Sequence, residues 1–265
     1  MVNKSPSHHS LLTFKQVACH RDDRVLFSGL NYTINSGDIV QITGANGIGK
    51  TTLLRAIIGL LQDYEGDICW RGQSLDGRVI DKDIDKSANG NTANESTDNE
   101  SNANENTDKN ANKGTGNHRY DFTSELLFIG HLAGVKQSLT PRENLQFLAN
   151  LHGTTAYSLD QVDDALAQVG LYGYEDMPGH QLSAGQNRRI ALARLYLNQA
   201  TIWVLDEPYT ALDTQAIKKL EALFVRHAEQ GGCVVFTSHQ APAIQTLRIL
   251  SLSDYVGDHK GNLDE

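Results

Sequence analysis

At 265 residues and 29.1 kDa, the chain has the length of one α/β domain, or at most two small ones. A net charge of -9 and a pI near 5.5 leave no basic stripe, which excludes nucleic acid as the main partner. Met1–Ser10 is polar, which predicts no signal peptide, and no stretch reaches the roughly 18–20 apolar residues that span a bilayer.

The N-terminal third reads as strands. Leu11–Cys19, Leu30–Asn35 and Asp38–Thr43 are short runs rich in β-branched or aromatic residues, broken at Ser36-Gly37. The last of them feeds directly into a glycine-rich loop. Lys50–Gly59 then reads as a helix with Leu53, Leu54, Ile57 and Ile58 on one face. Gly66–Trp70 is another short strand. From Arg78 to Asn117 the composition changes to Asn, Asp, Glu, Ser, Thr and Lys, and no large apolar residue follows Ile84 within it. Such a segment buries too little apolar surface to offset its ordering entropy, which predicts disorder. Lengthening a turn of about five residues to about forty is three doublings, or about 2 kcal/mol of loop closure, which a surface hairpin tolerates. Order resumes with a strand at Glu125–Gly130, then helices at Pro141–Leu151, Leu159–Val169 and Ser183–Leu197. Thr201–Leu205 and Cys233–Thr237 read as buried strands flanking an amphipathic helix at Asp213–Glu229. Strands alternating with helices imply a mainly parallel sheet.

Three places carry chemistry. Gly44-Ala45-Asn46-Gly47-Ile48-Gly49-Lys50-Thr51 has the form Gly-x-x-x-x-Gly-Lys-Ser/Thr, set between a strand and a helix. The backbone N–H groups of Gly47 to Thr52 can point inward there, at the positive end of the following helix, where phosphate is favoured. In such a loop Lys50 reaches the β- and γ-phosphates and the Thr51 hydroxyl ligates Mg²⁺. The loop alone says only that a nucleoside triphosphate binds. Ile202-Trp203-Val204-Leu205-Asp206-Glu207-Pro208 delivers two carboxylates at the C-terminal end of an apolar strand, the end where parallel sheets bind ligands. Asp206 is expected to hold Mg²⁺, directly or through water, and Glu207 to act as general base on the attacking water. Leu182-Ser183-Ala184-Gly185-Gln186 reads by itself as a helix start, with Ser183 as N-cap and Gly185 permitting close backbone approach to a ligand.

In this order the three motifs resemble the ABC transporter ATPases, over everything except the polar segment. The resemblance implies an α/β P-loop fold in one domain over residues 1–265. Its parts are a mainly parallel core sheet, an antiparallel β subdomain and an inserted helical subdomain over residues 131–182, with 78–117 as an insertion. It implies ATP held by Gly44, Ala45, Asn46, Gly47, Ile48, Gly49, Lys50, Thr51 and Thr52, with Mg²⁺ on Thr51 and Asp206. It further implies a homodimer that sandwiches nucleotide. In it, Ser183, Gly185 and Gln186 of one copy contact the γ-phosphate of ATP on the other. Ala211-Leu212-Asp213 matches the loop through which the subunits communicate, and His239 in Thr237-Ser238-His239 matches the switch histidine at the γ-phosphate. Ala184 stands where the family usually has glycine. His131 stands where a glutamine usually senses Mg²⁺ and couples to the membrane partner; imidazole can ligate a metal or water, and it titrates near neutrality. Cys19–Arg24 lacks the aromatic residue that usually stacks on adenine, which leaves His20 or Arg21 for that role.

Finer details narrow the resemblance. Arg21–Leu30, Val40-Gln41-Ile42, His131, Gln181–Gln186 and the run from Gly231-Gly232-Cys233 to Thr237–Gln240 are similar to the bacterial cytochrome c biogenesis ATP-binding export proteins. That similarity implies integral membrane subunits of the cytochrome c maturation transporter as partners, and a peripheral place on the cytoplasmic face of the inner membrane. It implies a haem-transporting translocase, whose ATP hydrolysis drives haem delivery or release of the haem-loaded periplasmic chaperone. No direct haem binding is expected, since Cys-x-x-Cys-His is absent and Cys19, Cys69 and Cys233 are far apart. The alternative is the ATPase subunit of an ABC exporter for another substrate, with the same catalysis and a different membrane partner. ABC proteins of translation or DNA repair usually carry tandem cassettes or a long coiled coil, and this chain has neither. A scaffold that binds ATP without turnover is expected to lack the base, and Glu207 is present. Deleting Ala88–Lys113 is expected to leave ATP turnover largely intact. A folded deletion variant without activity would overturn the reading of that segment as inert.

Overall fold

The computed structural model describes residues 9–22, 24–75, 121–150 and 157–256, so the predicted insertion 78–117 lies outside the described residues. In chain order the elements are β1 (Ser10–Arg21), β2 (Arg24–Asn35), β3 (Ile39–Thr43), α1 (Lys50–Ile57), β4 (Tyr64–Trp70), β5 (Gln73–Ser74) and β6 (Leu126–Ile129). Then come α2 (Pro141–Asn150), α3 (Leu159–Gln168), α4 (Ala184–Leu197), β7 (Ile202–Leu205), α5 (Thr214–Glu229), β8 (Cys233–Thr237) and β9 (Leu247–Ser251). Two sheets form. One is antiparallel, in the order β2-β1-β4-β5; the other is parallel throughout, in the order β6-β7-β8-β3-β9. The α/β class expected from the alternation of elements is the one observed.

The parallel sheet is buried on both faces, and its strands are short apolar runs for that reason. In β3, Ile39 faces one apolar cluster while Val40 and Ile42 face the other, as the two-residue strand period requires. On one side Leu53, Leu54, Ala56 and Ile57 of α1 pack with Phe14 and Phe27 of the antiparallel sheet. On the other, Leu220, Leu223 and Phe224 of α5 pack on Trp203, Leu205 and Phe236. Each large apolar side chain so buried contributes roughly 1.5–3 kcal/mol. The helices α2, α3 and α4 form a third cluster around Leu145, Val162, Leu166 and Ile190. Ser158 and Ser183 cap α3 and α4 with the same reciprocal box, each accepting from the backbone N–H three residues on.

Three elements differ from expectation, the smallest being the two-residue strand β5, which pairs with β4 and was not predicted. β2 begins at Arg24, six residues before the predicted strand, because Arg24, Val25 and Phe27 pair across a tight hairpin with Arg21, His20 and Cys19. β9 was not predicted at all. Among the described residues it is an edge strand paired only to β3, and Leu247-Arg248-Ile249-Leu250-Ser251 has neither a continuous apolar run nor a clean alternation. Arg248 settles it by donating to the Thr33 carbonyl at 3.1 Å and pairing with Asp38.

One half-buried group ties stability to pH. His227 of α5 lies flat on Trp203 of β7, with ring centroids 3.7 Å apart and planes 6° from parallel. Its Nε2 is 3.1 Å from the Thr201 carbonyl, which fixes that nitrogen as the donor. Burial pulls its pKa from the ordinary 6.5 down to about 4, against hydrogen bonds with the Thr201 and Cys233 backbone that raise it. The folded chain therefore keeps neutral a ring that the unfolded chain protonates. Stability from this group is full above the ordinary pKa and is lost as pH falls toward the depressed one, on the order of 3 kcal/mol in all. Replacing His227 with Phe is expected to flatten the dependence of urea-unfolding stability on pH between about 4 and 6.5; an unaltered slope would assign that dependence to other groups.

Candidate functional site

The glycine-rich loop leaves the C-terminal end of β3 and enters α1 at Lys50. Gly49, the N-cap, has φ of 112°, and a Cβ there would stand 3.0 Å from the Phe27 ring, so the position takes glycine on both counts. The Ile48 side chain is partly buried and packs against the core. Lys50 Nζ donates to the carbonyls of Gly44 at 2.8 Å and Ala45 at 3.2 Å, which holds the ammonium over the loop. Thr51 projects from the first turn of α1 toward β7.

Asp206 and Glu207 follow β7 directly. Thr51 Oγ1 stands 3.4 and 3.2 Å from the two Asp206 carboxylate oxygens. Adjacent ligands of an octahedral ion with bonds of about 2.1 Å are about 3 Å apart, so this hydroxyl and carboxylate fit Mg²⁺. Among the described residues no three His, Cys, Asp or Glu converge on a metal-sized site. Mg²⁺ needs no such cage, since one or two carboxylates with phosphate and water suffice.

A residue the motifs did not single out organises the carboxylates. Thr237, the last residue of β8, donates its hydroxyl to Asp206 Oδ1 at 2.7 Å and accepts from the Glu207 backbone N–H at 2.9 Å. A single hydroxyl thus sets both acids. His239, two residues later, brings Nε2 to 3.6 Å from Glu207 Oε1, with Glu207 mostly buried and His239 mostly exposed. The turn carrying His239 is held from below: the buried Gln41 of β3 donates to the Ser238 and Gln240 carbonyls, each at 3.2 Å. A buried glutamine inside an otherwise apolar strand was the available sequence signal.

These groups share one cleft of about 820 Å³, lined by Asn46, Lys50, Thr51, His131, Glu207 and His239 among others. Gly47, Gly49, Thr52 and Asp206 also line it. Arg21 reaches this cleft, whereas His20 pairs across the antiparallel sheet with Glu65 at 3.3 Å. Ser183, Gly185, Gln186 and Asp213 do not line it. The structure therefore brings together Asn46, Gly47, Gly49, Lys50, Thr51 and Thr52 of the phosphate loop, both acids, His131 and His239. Gly44, Ala45 and Ile48, like Ser183, Gly185, Gln186 and Asp213, do not line this cleft.

The sequence model of the ABC transporter family matches residues 27–210. The cytochrome c biogenesis ATP-binding export protein CcmA of Saccharophagus degradans is 40% identical over 248 residues, covering 91% of this chain and 92% of that protein. The protein of the same name from Aliivibrio fischeri is 44% identical over 230 residues, covering 87% and 92%. That of Escherichia coli K12 is 41% identical over 243 residues, covering 92% and 96%. The chain belongs to this family of ABC transporter ATPases. Solved structures agree on the fold. A putative ABC transporter ATP-binding protein from Pyrococcus furiosus has a TM-score of 0.67 at 22% identity, covering 93% of this chain and 99% of that one. A dimeric ATP-binding cassette bound to ADP and phosphate has a TM-score of 0.66 at 21% identity, covering 91% and 95%.

Within the cassette, the Leu182–Gln186 motif is tied to its own subunit. Gln186 N–H donates to Ser183 Oγ at 3.2 Å, and the Gln186 side chain accepts from Ser183 N–H at 2.8 Å. Asp213 caps α5 by accepting from Ala216 N–H at 2.9 Å and pairs with Arg189 of α4. The Ala216 hydrogen bond, then Arg189, hold its carboxyl below the ordinary range. The glycine at 185 has a reason inside the chain as well: a Cβ there would lie 2.8 Å from the Ala211 carbonyl oxygen. Gly185→Ala is therefore expected to push α4, which starts within the Leu182–Gln186 motif, off the loop that carries Asp213. ATP turnover should fall by about tenfold or more, the cost of a sub-ångström misplacement, with ATP binding retained. Unchanged turnover would show that this contact has no part in activity.

Proposed function

We propose that the chain is the ATP-hydrolysing subunit of the transporter for cytochrome c maturation, a haem-transporting translocase. Two observations support the reading. One is the convergence of Thr51, Asp206, Thr237, Glu207 and His239 at the carboxyl ends of neighbouring parallel strands. The other is identity of 40–44% to cytochrome c biogenesis ATP-binding export proteins over most of the chain. In this reading residues 1–265 form one cassette, with 131–182 as its helical subdomain and 78–117 as an insertion.

ATP lies with its phosphates against the backbone N–H groups of Gly47 to Thr52, at the positive end of α1. Lys50 exchanges loop carbonyls for the β- and γ-phosphate oxygens. Thr51 and Asp206 would hold Mg²⁺, which when bound would neutralise charge on the phosphates. Glu207 takes a proton from the attacking water onto its carboxylate, while His239 beside it faces the γ-phosphate. Arg21, on the rim of the cleft, stacks on adenine where the usual aromatic residue is missing. Ser183, Gly185, Gln186 and Asp213 complete the site of a second copy in an ATP-sandwich homodimer. The hydroxyl of Ser183 accepts its capping bond through a lone pair, so its proton is available for a phosphate oxygen of the partner's ATP.

Among the described residues, no helix is long and apolar enough to cross a membrane. Attachment to the cytoplasmic face of the inner membrane is therefore assigned to integral membrane subunits, with His131 beside the exposed Leu132 at the coupling position. Haem contacts are assigned to those partners.

One strain carries the test. Disrupting the gene is expected to abolish haem staining of c-type cytochromes, and the wild-type gene to restore it. The Glu207→Gln variant should not restore it, because removing a general base costs about 10²–10⁴-fold in turnover while ATP binding survives. Normal staining after disruption would point instead to an exporter of another substrate. Full turnover by Glu207→Gln would remove the base assignment.

A further inference from the structure

Ile129 and Leu205 are the last paired residues of β6 and β7, and the final rung is the Asp206 N–H bonded to the Ile129 carbonyl at 2.8 Å. Past that rung the carbonyls of Gly130, His131, Asp206 and Glu207 have no ladder to join. Arg188, on the second turn of α4 and only 5% exposed, meets all four. Its Nη1 donates to Gly130 O at 2.6 Å and His131 O at 3.3 Å; its Nη2 donates to Asp206 O at 2.9 Å and Glu207 O at 3.0 Å.

Glu207 needs such support. Its φ of 52° is left-handed, a conformation that costs an L-residue roughly 1–2 kcal/mol. Thr237 holds its N–H, and its C=O accepts from Arg188 at 3.0 Å and from the Thr210 N–H at 3.3 Å, so the direction of its carboxylate depends on Arg188 together with these neighbours. A guanidinium is rigid and planar, and its two terminal nitrogens move together. Displacement of Gly130 or His131 therefore reaches the Glu207 carbonyl through one side chain, on the helix that begins at Ser183.

We propose that Arg188 is a positioning residue that makes the aim of Glu207 depend on the placement of the His131 loop and of α4. The proposal rests on the reading of Glu207 as general base. It implies that a partner displacing the His131 loop changes the rate of hydrolysis more than the affinity for ATP.

The test uses the full-length chain and compares Arg188→Ala, Arg188→Lys and Glu207→Gln in ATP turnover, binding of a fluorescent ATP analogue with Mg²⁺, and Tm. Arg188→Ala is expected to lose about 10²-fold in kcat, with the dissociation constant within about threefold of wild type. Added guanidinium ion should restore part of kcat saturably, while ammonium at equal ionic strength should not. Arg188→Lys should also lose kcat, because a point charge cannot span both pairs of carbonyls. Should Arg188→Ala not fold, Arg188→Lys decides: a lower kcat at unchanged affinity supports the proposal, and wild-type kcat overturns it. Loss of kcat, binding and Tm together, without guanidinium rescue, also overturns it, since that pattern marks a structural part only. A dead Glu207→Gln beside a fully active Arg188→Ala removes the Arg188 proposal alone. A fully active Glu207→Gln removes the base assignment on which it rests.

Discussion

Peptide groups at the carboxyl edge of a parallel sheet lose their ladder partners, and at a buried edge each must find another. Most features of this site are answers to that constraint. The Asp206 N–H takes the last ladder position on Ile129, Thr237 takes the Glu207 N–H, and Arg188 takes the four carbonyls beyond. Because those partners lie on different elements, the two acids stand where α1, β8 and α4 agree. The left-handed turn at Glu207 persists because its peptide groups are fixed on both sides.

The same economy extends outward. Lys50 sits on the carbonyls of its own loop, Gln41 steadies the turn of His239 from the middle of a buried strand, and Asp213 is at once a helix cap and the partner of Arg189. The helix α4 is the common member. Its first turn carries Ser183 and Gln186, its second reaches the sheet edge through Arg188, and Arg189 reaches the loop before α5. One helix thus touches the backbone of both acids, the carbonyls of Gly130 and His131, and the loop that ends at Asp213.

Much of this was legible in the sequence. The strand–loop–helix around Gly44–Thr51 and the apolar strand ending in Asp206-Glu207 were readable because they combine local periodicity with unusual residue types. Both families of resemblance held over most of the chain. The long helices were placed to within a residue or two, since their caps and apolar faces are local properties. The edge strand β9 was not legible, because its pairing with β3 comes from a neighbour distant in sequence. Thr237 was seen only as part of the approach to His239. Nothing local distinguishes a threonine that ends a buried strand from one that orients two acids 30 residues earlier. Arg188 was equally silent: nothing local distinguishes it from Arg189 beside it, and only the structure shows it buried.

The sequence alone therefore determined the class of fold, the phosphate loop and the identity of the two acids. These depend on period, composition and the chemistry of side chains read within a few residues of each other. Tertiary structure decided which groups meet: Thr51 with Asp206, Thr237 with both acids, Gln41 under the His239 turn, and Gly185 against Ala211. Those meetings depend on the order β6-β7-β8-β3 in space. That order is set by burying both faces of the sheet at once, and no local stretch of chain encodes it.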